Sequence, residues 1–196
     1  VRDGLPVDAW PDHGRLRGQH IVSLPASVAG GRYRFSLGDF PLGELTIIAP
    51  ERTFTQPEFV QSIDAAFTTA DGTPVATLAG VAFDPAAIPC APAPEASCSL
   101  PLVWRADGEA SVGYHAFVHL VDEAGNILAQ SDAVPAGWTR PTTGWLPGEY
   151  VVDVHTLNLP NALPDGPLTL RVGLYDPVTG ERLSANGADA ALVTLP

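Results

Sequence analysis

The chain has 196 residues, 45% of them apolar and only 16% charged, so it carries ample material for a core and lacks the balance of a disordered segment. Its net charge is −12, and its ten basic residues are all Arg, scattered without a run. That balance gives no electrostatic support for binding nucleic acid or an anionic membrane surface, and no stretch approaches the roughly 18 apolar residues of a membrane-spanning helix.

In chain order, short apolar runs alternate with the 19 Gly and 20 Pro, the punctuation of a many-stranded β fold. The first strand is expected over residues 19–24. In the second, Tyr33, Phe35 and Leu37 oppose Arg32, Arg34 and Ser36, and a third covers 44–49. Residues 58–66 are the best helical stretch, too short to hold a 3.6-residue period over three turns. Strands follow over 75–83 and 99–105. In the next, Tyr114, Ala116, Val118 and Leu120 form a core face, and His115, Phe117 and His119 lie opposite. A turn at Asp122 to Gly125 leads into a strand over 126–131. Tyr150, Val152 and Val154 read as core, with Glu149, Asp153 and His155 on the other side. Leu168, Leu170, Val172 and Leu174 line one face of the following strand. A turn at Asp176 to Gly180 precedes a last strand over 190–195. The pattern predicts an all-β, immunoglobulin-like antiparallel β-sandwich.

Two segments match at a fixed offset of 135 residues: Trp10 with Trp145, His20 with His155, Leu24 with Leu159, Pro25 with Pro160, Gly31 with Gly166 and Gly38 with Gly173. About two identities are expected over such a span from ordinary composition. In the same alignment Tyr33, Phe35 and Leu37 fall on Leu168, Leu170 and Val172. One supersecondary unit is thus used twice. The organisation expected is a partial β unit over 1–50, the closing strands of a repeat, then a linker over 51–60 and a sandwich over 61–196. The strands of such an incomplete unit pack on the chain's own sandwich or are completed by strand addition with another subunit. A start at Val1 with no Met in the chain fits a processed form or a fragment, and any anchor or export signal is then expected upstream.

Cys90 and Cys98 bracket a Pro/Ala-rich stretch. They read as a local disulfide pinning a loop, which places the protein in an oxidising compartment. Two thiols with no nearby His do not make a zinc site. His115 and His119 share a strand face but stand about 13 Å apart. A metal site would need His119 to meet His155, with Asp153 or Asp132 beside them; hydrogen bonding at the core edge is the competing role. The acid pairs Asp122 and Glu123, and Glu149 and Asp153, suggest no cleft for glycoside hydrolysis. No nucleophile, metalloprotease or phosphate-loop motif occurs, and no cofactor is implied. Of the tryptophans, Trp104 and Trp145 suit the core. Trp138, in the Pro/Gly-rich loop 135–141 with Arg140 two residues on, is the candidate ligand contact, because an indole face suits the apolar side of a pyranose.

The segments YHAFVHLVD (114–122), QSD (130–132), RPTTGWLPGE (140–149), LNLP (157–160) and VGLYDPVTGERL (172–183) together carry a family resemblance. Residues 60–196 resemble the C-terminal extracytoplasmic β-sandwich domains of Chloroflexi-type membrane proteins, many of them family 39-like glycosyltransferases. The resemblance implies an accessory domain whose catalytic partner lies in an absent membrane portion. The insertion at Cys90–Cys98 and the partial repeat depart from that pattern. The expectation is a non-catalytic interaction or structural module at the cell surface, with a protein partner or a second copy of the chain. The alternative is a carbohydrate-binding accessory domain for a surface glycan.

Overall fold

The computed structural model describes residues 24–85 and 97–195, together with His13 and Val22. Trp10, His20, Cys90 and most of the strand expected over 19–24 lie outside the described residues. The described chain is all-β: β1 (Gly31–Leu37), β2 (Phe40–Ile47), β3 (Gln61–Thr68), β4 (Pro74–Val81), β5 (Ser97–Ala106), β6 (His115–Val121), β7 (Ile127–Ala133), β8 (Tyr150–Asn158), β9 (Leu168–Tyr175), β10 (Ser184–Ala185) and β11 (Ala191–Leu195). Among the described residues the helical content is a single 3-10 turn, Thr142–Gly144, and no helix is long and apolar enough to cross a membrane.

Two antiparallel sheets form a sandwich. One has the order β10-β3-β4-β5-β8 and the other β11-β9-β6-β7. The alternating residues of β6 and β9 produce this arrangement directly. Ala116, Val118 and Leu120 lie beside Leu168, Leu170, Val172 and Leu174 on the inner face of one sheet, and within the core Trp104 stacks edge-on against Phe67 at 5.4 Å. Trp145 is buried as well. The predicted turns close as expected. Asn126 N donates to Asp122 Oδ1, Gly180 N donates to Asp176 O, and Gly125 and Gly180 take the left-handed conformation that each turn requires.

Two elements differ from the sequence expectation. The stretch 58–66 is not helical: from Gln61 it enters β3, whose ladder breaks between Ser62 and Ala65 around Asp64, a residue at φ 51°. That bulge hides the strand period from a linear reading. β8 is turned over. Val152 and Val154 are exposed at 46% and 51%, while Glu149, Asp153 and His155 point inward with Val151 and Leu157. The reason is hydrogen bonding: each inward polar group meets a polar partner from another element.

The strands expected in the partial repeat form a hairpin: among the described residues β1 and β2 pair only with each other, from Gly31↔Ile47 to Leu37↔Phe40, and add to neither sheet. Leu37 and Phe40 at the hairpin tip are 74% and 71% exposed, and Tyr33, Phe35 and Leu42 are open as well. At its base the hairpin leans on the loop 139–144 across a shallow groove lined by Leu24, Val28, Ile48 and Pro141. The segment after it is tied into the sandwich, with Tyr150 N donating to Thr53 O at 2.7 Å.

The outer face of the second sheet is also tightly built. Phe117 lies flat on Gly173, where an added Cβ would come within 2.4 Å of the ring, and Arg182 covers the other side at 4.5 Å. Gly173→Ala is therefore expected to destabilise the protein by about 1–3 kcal/mol through overpacking. Urea unfolding tests this; an unchanged midpoint would mean that the ring moves freely.

Candidate functional site

Trp138 sits on a short loop after β7. Ala136, Gly137 and Trp138 all have positive φ, at 54°, 60° and 71°, so the chain makes one left-handed turn. Trp138 N donates to Val134 O and Arg140 N to Pro135 O, both at 3.0 Å. For Ala136 and Trp138 this conformation costs about 1–2 kcal/mol each. It persists because the loop is anchored: Ala136 N donates to the buried carboxylate of Asp153 at 2.8 Å. The turn leaves the indole 65% exposed, edge-on to His115 at 5.3 Å, and His115 in turn meets Tyr175 at 5.7 Å.

Arg140, the predicted companion of Trp138, is turned away from it. Its guanidinium is largely buried and donates to Glu149 Oε1 and to Glu51 O. Glu149 is fully buried. Its other oxygen accepts from Arg52 Nη1 at 2.5 Å and from Leu146 N at 3.0 Å. Arg52 also donates to Gly144 O and, through Nη2, to Ala26 O at 2.6 Å. One carboxylate thus joins the hairpin base, the segment 51–53 and the Trp138 loop. Neither Arg52 nor the burial of Glu149 was visible in strand alternation. The signal available was an acid closing the Trp145 to Glu149 motif in a chain whose cations are all Arg.

The three candidate metal ligands do not converge. Asp153 and His155 share the inner face of β8, with Nε2 of His155 3.1 Å from Asp153 Oδ2. His119 lies on the outer face of β6, 3.9 Å from Asp132. Among the described residues no group of three His, Cys, Asp or Glu side chains is placed to hold a metal ion. Asp153 also accepts from Trp104 Nε1 at 3.3 Å, and His155 Nδ1 lies 3.0 Å from Ser131 Oγ. Carboxylate, imidazole and hydroxyl therefore stand in one hydrogen-bonded line. His155 is only 2% exposed, and the larger clefts include none of the three residues. The line satisfies buried polar atoms and joins β8 to the edge strand of the opposite sheet. Cys98 is buried in β5. A groove of about 430 Å³ opens where the β3–β4, β5–β6 and β9–β10 connections meet, lined by Tyr114, Asp71, Glu109, Asp176 and Glu181 among others.

Burial pushes the His119 imidazole below its usual 6.5, with Arg182 and Arg171 reinforcing and Asp132 opposing. No known protein-family model matches this chain, and no curated protein or solved structure shows significant similarity to it.

Two outcomes follow from this geometry. Glu149→Ala leaves two largely buried guanidiniums without their carboxylate and is expected to cost about 3 kcal/mol in urea unfolding. Arg52→Ala should cost less, because Arg140 still pairs with Glu149, but it should make residues 24–52 the first site of thermolysin cleavage; equal cleavage of wild type and variant would contradict the clamp. For His119, the folded protein takes up the proton at lower pH than the unfolded chain. Its share of stability is intact at high pH and declines as pH falls through about 6.5. Between about pH 7.5 and 5.5 the wild type should lose stability, and His119→Gln should flatten that slope.

Proposed function

We propose that this chain is a non-catalytic interaction or structural module of an extracytoplasmic surface that assembles through its β1–β2 hairpin by strand addition. The observation that carries the reading is the state of that hairpin. A two-stranded ribbon is marginal by itself, and this one adds to neither sheet while exposing Tyr33, Phe35, Leu37, Phe40 and Leu42. The internal repeat gives that exposure a direction. The residues aligned with Tyr33, Phe35 and Leu37 are Leu168, Leu170 and Val172, which in β9 are buried against the facing sheet. The same face in the first copy calls for a sheet of the same kind, supplied by another chain or segment. Among the described residues no third strand pairs with either outer edge of the hairpin, the template that strand addition uses.

The immunoglobulin-like character of the sandwich belongs to this reading. It is supported by the crossings between sheets: β5 to β6, β7 to β8 and β8 to β9 change sheet, while β3–β4 and β6–β7 are hairpins within one. A Cys90–Cys98 bridge and residence at the cell surface belong to it too, supported by the oxidising compartment that such a bridge requires and by the resemblance carried by residues 114–183.

Sedimentation velocity over a concentration series tests the assembly. The wild type is expected to associate as concentration rises, and the Leu37→Arg, Phe40→Arg double variant to remain monomeric with an unchanged melting temperature. A wild type that stays monomeric at the highest concentration overturns the reading.

A further inference from the structure

We propose that the end of the sandwich carrying Trp138 binds a neutral saccharide on a platform formed by Trp138, His115 and Tyr175. The inference is independent of assembly through the hairpin. Its first support is the combination of exposure and rigidity. The indole stands 65% exposed on a loop held by three backbone hydrogen bonds and by the buried Asp153 carboxylate. A connection that only had to turn would place Gly or Asn at a left-handed position. Here a Trp occupies it, so the strained turn serves to present the ring.

The second support is what surrounds the ring. Trp138 meets His115 at 82° and His115 meets Tyr175 at 74°, so three rings stand in an edge-to-face row where β6, β9 and the loop after β7 meet. The exposed indole face in that row suits the flat C–H face of a pyranose. Sugar hydroxyls need donors and acceptors at the rim of that face. The His115 imidazole and the Tyr175 phenol supply both kinds. The one-third-exposed carboxylate of Asp132, close enough to Tyr175 to push its phenol upward along with burial, adds an acceptor.

Third, a groove of about 430 Å³ lies at the same end of the sandwich. Tyr114 and Asp176, which precede His115 and follow Tyr175, line it together with the carboxylates of Glu109 and Glu181. A chain of sugars longer than one unit would meet acceptors there.

Charge selects the class of ligand. Arg140 is engaged by Glu149, and Arg171 and Arg182 share Asp189. With a net charge of −12 and these three cations already paired with carboxylates, a uronate, sulfated or phosphorylated ligand is disfavoured.

Affinity electrophoresis of the whole chain through gels containing glucan, mannan, galactan or xylan tests the proposal, with alginate and heparin as anionic controls. The wild type is expected to be retarded by at least one neutral polysaccharide. Trp138→Ala should weaken that interaction about tenfold and His115→Ala several-fold, both with unchanged melting temperature. Trp138→Gly should melt higher than wild type yet lose retardation, which separates binding from folding. Leu37→Arg should bind as wild type, which separates binding from assembly. No retardation by any neutral polysaccharide, retardation that survives Trp138→Ala, or retardation confined to the anionic gels would overturn it.

Discussion

The structure depends on which way β8 faces. Its inward side carries Glu149, Asp153 and His155 beside Val151 and Leu157, and each polar group is spent on a different neighbour. Glu149 takes Arg52 and Arg140; Asp153 takes Trp104 and the backbone of Ala136; His155 reaches Ser131 on β7. A slip of one residue would bury Val152 and Val154 instead and strand every one of these partners. Apolar area alone favours the other face. Half-exposing two valines gives up on the order of 1 kcal/mol each, less than leaving buried Trp104 Nε1 unpaired and two largely buried guanidiniums without their carboxylate. Polar satisfaction outweighs burial in setting this register.

That choice also explains where the surface features lie. Asp153 is far from solvent, yet through Ala136 it fixes the turn that exposes Trp138. Glu149 is equally buried, yet through Arg52 it reaches Ala26 at the foot of the hairpin. Rigid groups inside the sandwich thus position mobile-looking groups outside it, the usual condition for a preorganised binding surface.

The sequence made legible what depends on local period and local turn chemistry. β6 and β9 each carry one clean apolar parity, and their faces came out as read. Asp122 and Asp176 close their turns with neighbours a few residues away. β8 was illegible because both parities hold apolar residues. The deciding partners are also remote in the chain: Trp104 lies 49 residues from Asp153, and Arg52 lies 97 from Glu149. β3 was masked by the bulge at Asp64 for a similar reason, since one irregular residue breaks the alternation that identifies a strand. At the candidate site, a Pro/Gly-rich loop was enough to single out Trp138. It was not enough to place His115 and Tyr175 beside it, because they meet only through the pairing of β6 with β9. The same loop suggested Arg140, whose proximity in sequence says nothing of the direction in which its side chain turns.

The repeat and the clamp bear on each other. If the first copy were an independent module, few contacts would be expected to cross to the second. Instead Arg52, between the copies, donates both to Ala26 and to the carboxylate that begins the ladder of β8. The hairpin is thus held at its foot and free at its tip, which leaves Leu37 and Phe40 facing outward while their backbone stays registered. The Trp138 loop hangs from the same carboxylate through Arg140. A substitution at Glu149 therefore disturbs both surfaces at once and separates neither role. Leu37 and Trp138 lie at the outer ends of the two arms, where a change of side chain leaves the clamp intact, and those positions distinguish assembly from ligand binding.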